Sequence, residues 1–175
     1  MREAFDHFIR SLELRHFEPE EFLIGLDEGN CICPAYLWPN LALTAVLVDN
    51  LRHHFRRPVT ITSAYRAPLY NKSVGGVPRS QHCSFSALDV KARGVSPGKA
   101  AEWLRAQRGE LVRLPIRARR VAYVSPAGEV PFAELETWKL KGGQASMVRA
   151  KISIGTYDSF THCDVRGKNV SWNGH

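Results

Sequence analysis

The sequence lacks any apolar run that approaches the roughly 18–20 residues needed to cross a bilayer. Residues 1–17 mix charges of both signs with aromatic side chains, and they lack the apolar stretch of a secretory signal. From these absences we expect a protein that is synthesised in a cytoplasm without a signal peptide and has no membrane span. The length of 175 residues predicts one domain, residues 1–175, and we expect a monomer.

Cysteine is also scarce, since the chain has only four. This number does not make a disulfide scaffold, and a cytoplasmic start predicts free thiols. Cys31 and Cys33 are too closely spaced for a zinc knuckle and have no partner pair. Cys83 and Cys163 each follow a histidine, and we interpret both as small buried packing residues.

Positive charge, in contrast, is in excess, with a formal net charge of +7. Much of it lies in residues 53–57 and in RLPIRARR, residues 113–120. A basic surface suits nucleic acid, an anionic cell-wall polymer or a membrane face, and it is equally typical of a solvated face. The sequence has no zinc-finger spacing and no aromatic RNP-like strand, so nucleic acid is the disfavoured partner.

Apolar spacing and turn residues predict which elements the chain forms. The predicted helices lie within residues 1–15, at a short turn from Pro19, at residues 39–55 and at residues 96–109. The predicted strands are residues 59–65, 86–92 and 156–166, with less legible strand-like runs over 111–150 and a turn at Gly142–Gly143. This order predicts an α+β fold in which N-terminal helices pack on a mostly antiparallel sheet.

Two distant segments contain residues of the kind that hold a catalytic metal. SQHCSFSALDV, residues 80–90, places His82 and Asp89 seven positions apart, and FTHCDVR adds His162. Catalytic zinc takes three such ligands and leaves a fourth position for water. By themselves, His82 and Asp89 are more often a structural histidine and a structural carboxylate, so the residues alone leave both interpretations open.

The surrounding motifs resemble a known family. ITSAYRAPLYNKSVGGVPRSQHCSFSALDV, residues 61–90, closely resembles the zinc D-alanyl-D-alanine peptidase family, which shares its fold with the Hedgehog signalling domain. In that family a strand ends in S-x-Y-R, a loop reads N-x-x-V-G-G, S-x-H-x6-D follows, and H-x-D or H-x-H lies near the C-terminus. Those features stand here at residues 63–66, 71–76, 80–89 and 162–164. The resemblance covers most of residues 16–104 and 152–172.

This resemblance implies a zinc site and a residue that acts on the substrate beside it. His82, Asp89 and His162 would hold Zn²⁺, which polarises the scissile carbonyl and lowers the pKa of bound water toward about 7. Arg66, at the end of a strand, would bind a substrate carboxylate or stabilise the oxyanion.

Other positions keep two interpretations each. Ser80 and Gln81 are expected to bind the substrate backbone or to cap a turn. Asp164, on the same strand face as His162, is expected to orient that ligand or to pair with Arg166.

The chain also departs from the family at three places. Phe85 replaces the usual glycine and is expected to narrow the pocket or to alter its loop. Many relatives carry an acid where Ser159 stands, so Asp158 is the nearest candidate for the general base. Residues 106–150 form an enlarged insertion, interpreted as a lid, a wall-binding surface or an elaborated sheet edge.

The resemblance implies a zinc metallopeptidase of the D,D- or L,D-carboxypeptidase or endopeptidase type. Its expected substrates are peptidoglycan stem peptides or cross-links next to D-amino acids, and the missing signal favours a phage-type endolysin or virion-associated lysin. Net positive charge would help it reach an anionic wall. The alternative, favoured by Ser159, is a catalytically weak or inactive zinc-binding module for cell-wall or protein binding. A third hypothesis is nucleic-acid binding through residues 113–120.

Overall fold

A computed structural model describes residues 1–115, 122–125, 128–131 and 146–174. The predicted turn at Gly142–Gly143 and the later part of RLPIRARR, residues 116–120, lie outside these ranges. Among the described residues, no helix combines the length and the apolar character that crossing a membrane requires.

Helices dominate the first part of the chain, as predicted. The α-helices are α1 (Arg2–Ser11), α2 (Ala42–Phe55), α3 (Pro68–Ser73) and α4 (Pro97–Ala106), and 3₁₀ turns occur at Pro19–Phe22, Leu26–Glu28, Ala35–Leu41 and Gln81–Ser84. The predicted cap of α4 is present, because Ser96 Oγ accepts a hydrogen bond from the Lys99 N–H at 3.3 Å. The predicted start of α2 at Pro39 falls instead within the preceding 3₁₀ turn.

Strands dominate the second part. They are β1 (Val59–Ser63), β2 (Ala87–Ala92), β3 (Leu111–Leu114), β4 (Ala122–Ser125), β5 (Gly128–Pro131), β6 (Ser146–Arg149), β7 (Ser153–Thr156), β8 (Thr161–Asp164) and β9 (Ser171–Asn173). Five of them form one sheet in the order β1-β2-β8-β7-β9, in which only the β7–β9 pair is parallel. The pairs β3–β6 and β4–β5 form separate two-stranded sheets. The α+β prediction with a mostly antiparallel sheet is therefore confirmed.

The register between β2 and β8 decides which side chains meet. Asp89 lies opposite His162, and Leu88 lies opposite Cys163. Because successive side chains on a strand alternate between faces, Asp89 and His162 share one face of the sheet. Leu88 and Cys163 belong to the hydrophobic core, into which α2 and α4 pack.

The core confirms the interpretation of the cysteines. Cys83 and Cys163 are buried, and all four cysteines are free thiols.

One arginine ties the segment after α4 to the sheet. Arg108, just after α4, donates from Nε to the Ile152 carbonyl at 3.0 Å and from Nη2 to the Val170 carbonyl at 2.6 Å. These two carbonyls precede β7 and β9, so one guanidinium holds both strands against the helix.

Candidate metal centre

The loop that carries His82 is fixed to the helical layer by buried polar side chains. Asn40 donates to the Ser84 carbonyl at 2.8 Å, and Thr44 donates to the Ser86 carbonyl at 2.8 Å. Both side chains are almost fully buried, where an unmade hydrogen bond is costly. The loop between His82 and β2 therefore has little freedom to move away from α2.

Phe85 lies within this loop, and its backbone conformation explains why related sequences have glycine at this position. Its φ of 58° is in the left-handed region, which glycine occupies without steric cost. The Phe85 ring is fully buried and packs against Phe5 and Tyr65. Phe85 therefore does not narrow the pocket, because its side chain lies in the core.

The side chains of His82, Asp89 and His162 converge. Their ligand atoms all lie within 4.8 Å of one another, and all three residues are buried. Asp89 lies between the two rings, with Oδ2 at 3.2 Å from His82 Nε2 and Oδ1 at 2.7 Å from His162 Nδ1. The structure thus brings together the three residues that the resemblance implies as zinc ligands.

Hydrogen bonds on the outer side of each ring turn its inner nitrogen toward the cluster. His82 Nδ1 lies 2.7 Å from the Ala64 carbonyl, which can only accept, so Nδ1 carries the proton and Nε2 the lone pair. His162 Nε2 lies 2.9 Å from Asp164 Oδ2, and a proton on Nε2 leaves the Nδ1 lone pair facing Asp89. When His162 Nδ1 gives up the proton that it shares with Asp89, two nitrogen lone pairs and a carboxylate converge, and such a set can hold a metal cation. Its chemistry fits Zn²⁺.

Burial and neighbouring charges set the protonation of these groups in the metal-free chain. Burial lowers the pKa of His82, although the carboxylate of Asp89 opposes this effect. Burial alone would raise the pKa of Asp89, but the two histidines outweigh it and lower that pKa. Burial would also lower the pKa of His162, but hydrogen bonds with Asp164 and Asp89 raise it. An ionised Asp89 beside a neutral His82 suits metal binding.

Arg66 reaches the cluster from the end of β1. Its Nη2 donates to Asp89 Oδ2 at 3.1 Å, and its Nε donates to Ser63 Oγ at 2.7 Å. Asn30 clamps the backbone around it, donating to the carbonyl before Arg66 and accepting from the N–H after it. The guanidinium keeps Nη1 for a further partner.

Asp164 supports His162 from behind and is fully buried. It accepts from His162 and also from Arg166, whose Nε lies 2.7 Å from Asp164 Oδ1 and whose Nη2 contacts Oδ2. Burial would raise the pKa of Asp164, but these hydrogen bonds lower it. Both contacts expected for Asp164 are therefore present at once.

Aromatic residues form a wall beside His162. The Trp172 ring centroid lies 5.3 Å from that of His162, and Trp172 Nε1 donates to the Tyr157 hydroxyl at 3.1 Å. Phe160 stacks on Tyr157 with a centroid distance of 4.3 Å. Gly155 makes room for this wall, because a Cβ there would lie 2.6 Å from the indole of Trp172.

An open cleft of about 280 Å³ lies over the cluster. The aromatic wall lines this cleft, together with residues 75–77 and 79–82. Arg66, Ser80 and Gln81, predicted to bind substrate, all line this cleft.

The structure does not bring Asp158 to the cleft. Asp158 is exposed in the turn between β7 and β8 and does not line the cavity. Within the described part of the chain, Asp89 is the single carboxylate in the lining.

Several residues that shape the site were missed by sequence reasoning. Asn30, Asn40 and Thr44 hold site loops through contacts that span 35 to 44 positions in the chain, for which a single sequence gives no signal. Trp172 and Tyr157 flank the H-x-D motif, and that proximity is the one signal that could have indicated them.

Comparison with known proteins gives one match. A family model described as Peptidase M15 matches residues 15–122, which is more than half of the chain and includes His82 and Asp89. No curated protein and no solved structure matches the chain.

Proposed function

The chain belongs to the peptidase M15 family, and from this premise we propose that it cleaves peptidoglycan stem peptides or cross-links next to a D-amino acid. The family consists of zinc-dependent metallopeptidases. The observation that carries the proposal is the buried convergence of His82, Asp89 and His162, whose outer hydrogen bonds leave three acceptor atoms facing one another.

We assign those three residues as the zinc ligands. Zinc in a site of this kind polarises a substrate carbonyl and lowers the pKa of water. Asp164 and the Ala64 carbonyl keep each imidazole in the tautomer that presents its lone pair to the metal.

Arg66 is assigned to the oxyanion that develops on the scissile carbonyl. Its Nε and Nη2 are held by Ser63 and Asp89, which fixes the guanidinium plane and leaves the Nη1 hydrogens for the oxyanion. A donor fixed in advance does not have to reorganise as charge develops.

Ser80 and Gln81 are assigned to the substrate backbone. Gln81 Oε1 accepts from the Ser86 hydroxyl, so the Gln81 amide group is left to donate. Ser80 Oγ accepts from the His82 N–H, which leaves its own hydrogen to donate.

The general base stays assigned to Asp158, on sequence grounds alone. Because it is exposed and outside the lining, it could act only if the β7–β8 turn carried it toward the substrate. If Asp158 is the base, Asp158→Asn should lower kcat by about 10²–10⁴-fold while zinc content is unchanged.

Peptidoglycan is proposed as the substrate on two supports. The motifs at residues 63–66, 71–76 and 80–89 resemble those of D-alanyl-D-alanine peptidases, and the net charge of +7 favours adsorption to an anionic wall. A phage-type endolysin is the biological setting that we propose for such an activity.

The test is incubation of the zinc-loaded protein with purified peptidoglycan, followed by mass spectrometry of the released and residual muropeptides. We expect new stem-peptide termini with the native chain and with Arg10→Gln, a surface control, and none with His82→Ala. A folded protein that holds stoichiometric zinc and leaves every muropeptide intact would overturn the proposal.

One observation favours the second candidate, a zinc-binding module without strong catalysis. No carboxylate other than the ligand Asp89 lines the cleft among the described residues. This candidate predicts that the zinc-loaded protein cosediments with peptidoglycan and yields no new termini.

A further inference from the structure

The cleft has an unbalanced set of charged side chains. Among the residues that the structure describes, three arginines line it, and Asp89 is the single acid in the lining. A zinc ion at the cluster would add two further positive charges. The cleft is therefore a cationic environment that favours an anionic ligand.

Two of the arginines are already engaged by carboxylates. Arg66 donates to Asp89, and Arg166 donates to Asp164 through Nε and Nη2. Arg166 also lies over the Trp172 ring, with its Cζ 5.1 Å from the ring centroid. These two guanidinium groups hold the metal centre and its wall in place.

Arg79 differs from both. It lines the same cleft and is exposed, yet it has no hydrogen bond or ion pair with any residue in the described part of the chain. It lies immediately before Ser80, in the loop that leads to His82. Its charge is the one in the lining that no described protein carboxylate balances.

The loop that carries Arg79 is well anchored. Asn71 donates to the Val77 carbonyl at 2.9 Å, and the Ser80 N–H donates to the same carbonyl at 3.0 Å. Gly76 is required there, because a Cβ on it would lie 2.0 Å from the Asn71 side chain. A fixed backbone on both sides of Arg79 limits the volume that its side chain must search.

We propose that Arg79 is the specificity-determining residue that recognises a carboxylate of the substrate. This inference rests on the proposed peptidase function and adds the residue that recognises a free carboxylate of the peptide in the cleft. The carboxylate is either the C-terminal group of the peptide or the side chain of an acidic residue, and both present the same two oxygens. A guanidinium donates two parallel hydrogen bonds to such a group.

This proposal divides the work between two arginines. Arg66, with one terminal nitrogen left, serves the reacting carbonyl. Arg79, whose guanidinium has no partner among the described residues, binds the carboxylate. The earlier alternative, that Arg66 binds the carboxylate, has less support because two of its nitrogens are occupied by Ser63 and Asp89.

The test uses acetyl-L-lysyl-D-alanyl-D-alanine, its C-terminal amide, and an amide in which D-glutamate replaces the last residue. Each peptide is also made as a reduced-amide analogue that cannot be cleaved, and its binding to the zinc-loaded protein is measured by calorimetry. The variants are Arg79→Gln, Arg79→Lys and the matched control Arg10→Gln, which removes one exposed arginine charge outside the cleft.

We expect the native protein to bind the carboxylate-bearing analogues roughly 10- to 100-fold more tightly than the neutral amide. Arg79→Gln should remove that preference, Arg79→Lys should retain part of it, and Arg10→Gln should leave it unchanged. Tight binding of the free acid alone identifies the C-terminal carboxylate. Tight binding of the D-glutamate amide identifies a side-chain carboxylate.

Equal affinity for the acid and the amide in the native protein would overturn the Arg79 inference, as would equal weakening of both ligands by Arg79→Gln. Cleavage is scored separately with the unmodified peptides. Binding that depends on Arg79 without any cleavage contradicts the peptidase proposal alone, whereas cleavage that is indifferent to Arg79 contradicts this inference alone.

Discussion

His82 and His162 face the same carboxylate, yet their rings are held in different ways. In the first half of the site, residues 59–92, the outer nitrogen of His82 bonds to a backbone carbonyl. In the second half, residues 153–174, the outer nitrogen of His162 bonds to Asp164, which is itself held by Arg166. A backbone partner survives most substitutions, whereas a chain of side chains can be broken at each member. The two halves should therefore respond differently to mutation.

The largest expected effect is loss of bound zinc, and it should be the same in both halves because each half supplies a histidine ligand. His82→Ala and His162→Ala should each reduce bound zinc from about one equivalent to almost none, since two ligands do not make a stable site. Zinc is measured by mass spectrometry of the purified proteins. His7→Ala, an exposed histidine on α1, is the matched control and should keep its zinc. Stoichiometric zinc in either ligand variant would refute the assignment of that residue.

The second-largest expected effect is a loss of zinc affinity that differs between the two halves of the site. Asp164→Asn keeps an acceptor for His162 but removes the charge, and we expect zinc affinity to fall about 10- to 100-fold. Ser63→Ala removes a 3.4 Å contact with His82 Nδ1 and also the acceptor for Arg66 Nε. Because the Ala64 carbonyl still holds His82 Nδ1 and Arg66 is not assigned as a ligand, zinc affinity should change by less than about threefold. Competition with a zinc-sensitive dye measures both affinities. Similar losses in the two variants would mean that the contrast between the halves is not real.

A third effect concerns the strands that carry the aromatic wall. Arg108→Ala removes three hydrogen bonds, to the Ile152 carbonyl, the Val170 carbonyl and the Ser171 hydroxyl, that tie β7 and β9 to the segment after α4. We expect the free energy of opening at β9 to fall by about 1–3 kcal/mol, as measured by native-state hydrogen exchange. Arg105→Ala removes the same charge one turn earlier and is the control. Hydrogen exchange at β1 and β2 should be unaffected. An equal loss of protection at all strands of the five-stranded sheet would contradict a local effect of Arg108.

The smallest expected effect is a difference in stability between two variants, caused by backbone strain at Phe85 in the first half of the site. Phe85→Ala and Phe85→Gly both remove a buried ring, which costs about 3–5 kcal/mol for Phe→Ala. Because φ is 58° at this position, the glycine variant should be the more stable of the two by about 1 kcal/mol. Urea denaturation compares them. The usual order, with alanine more stable, would show that the loop relaxes when the ring is removed.

Much of the site could be predicted from the sequence because it depends on short spacings. His82 and Asp89 stand on either side of one turn, and the alternation of a strand places Asp164 on the same face as His162. The meeting of these pairs needed only that β2 and β8 be neighbours, which the resemblance implied and the register confirms.

The rest depended on contacts between distant parts of the chain. Asn30 holds the backbone around Arg66 across 35 positions, and Thr44 holds the loop before β2 across 42. Spacing also placed Asp158 near His162 in sequence, but the turn between β7 and β8 leaves it exposed. A turn can point any of its residues outward, so proximity along the chain predicts little there.

The contact between Gly155 and Trp172 also constrains how this site can change over evolutionary time. A Cβ at position 155 would lie 2.6 Å from the indole, so Gly155 cannot be enlarged while Trp172 is kept. Because β7 and β9 pair in parallel with Gly155 beside Trp172, the strands cannot slide to relieve the collision without shifting the register. In related chains the two positions should vary together, with a larger residue at one accompanied by a smaller residue at the other.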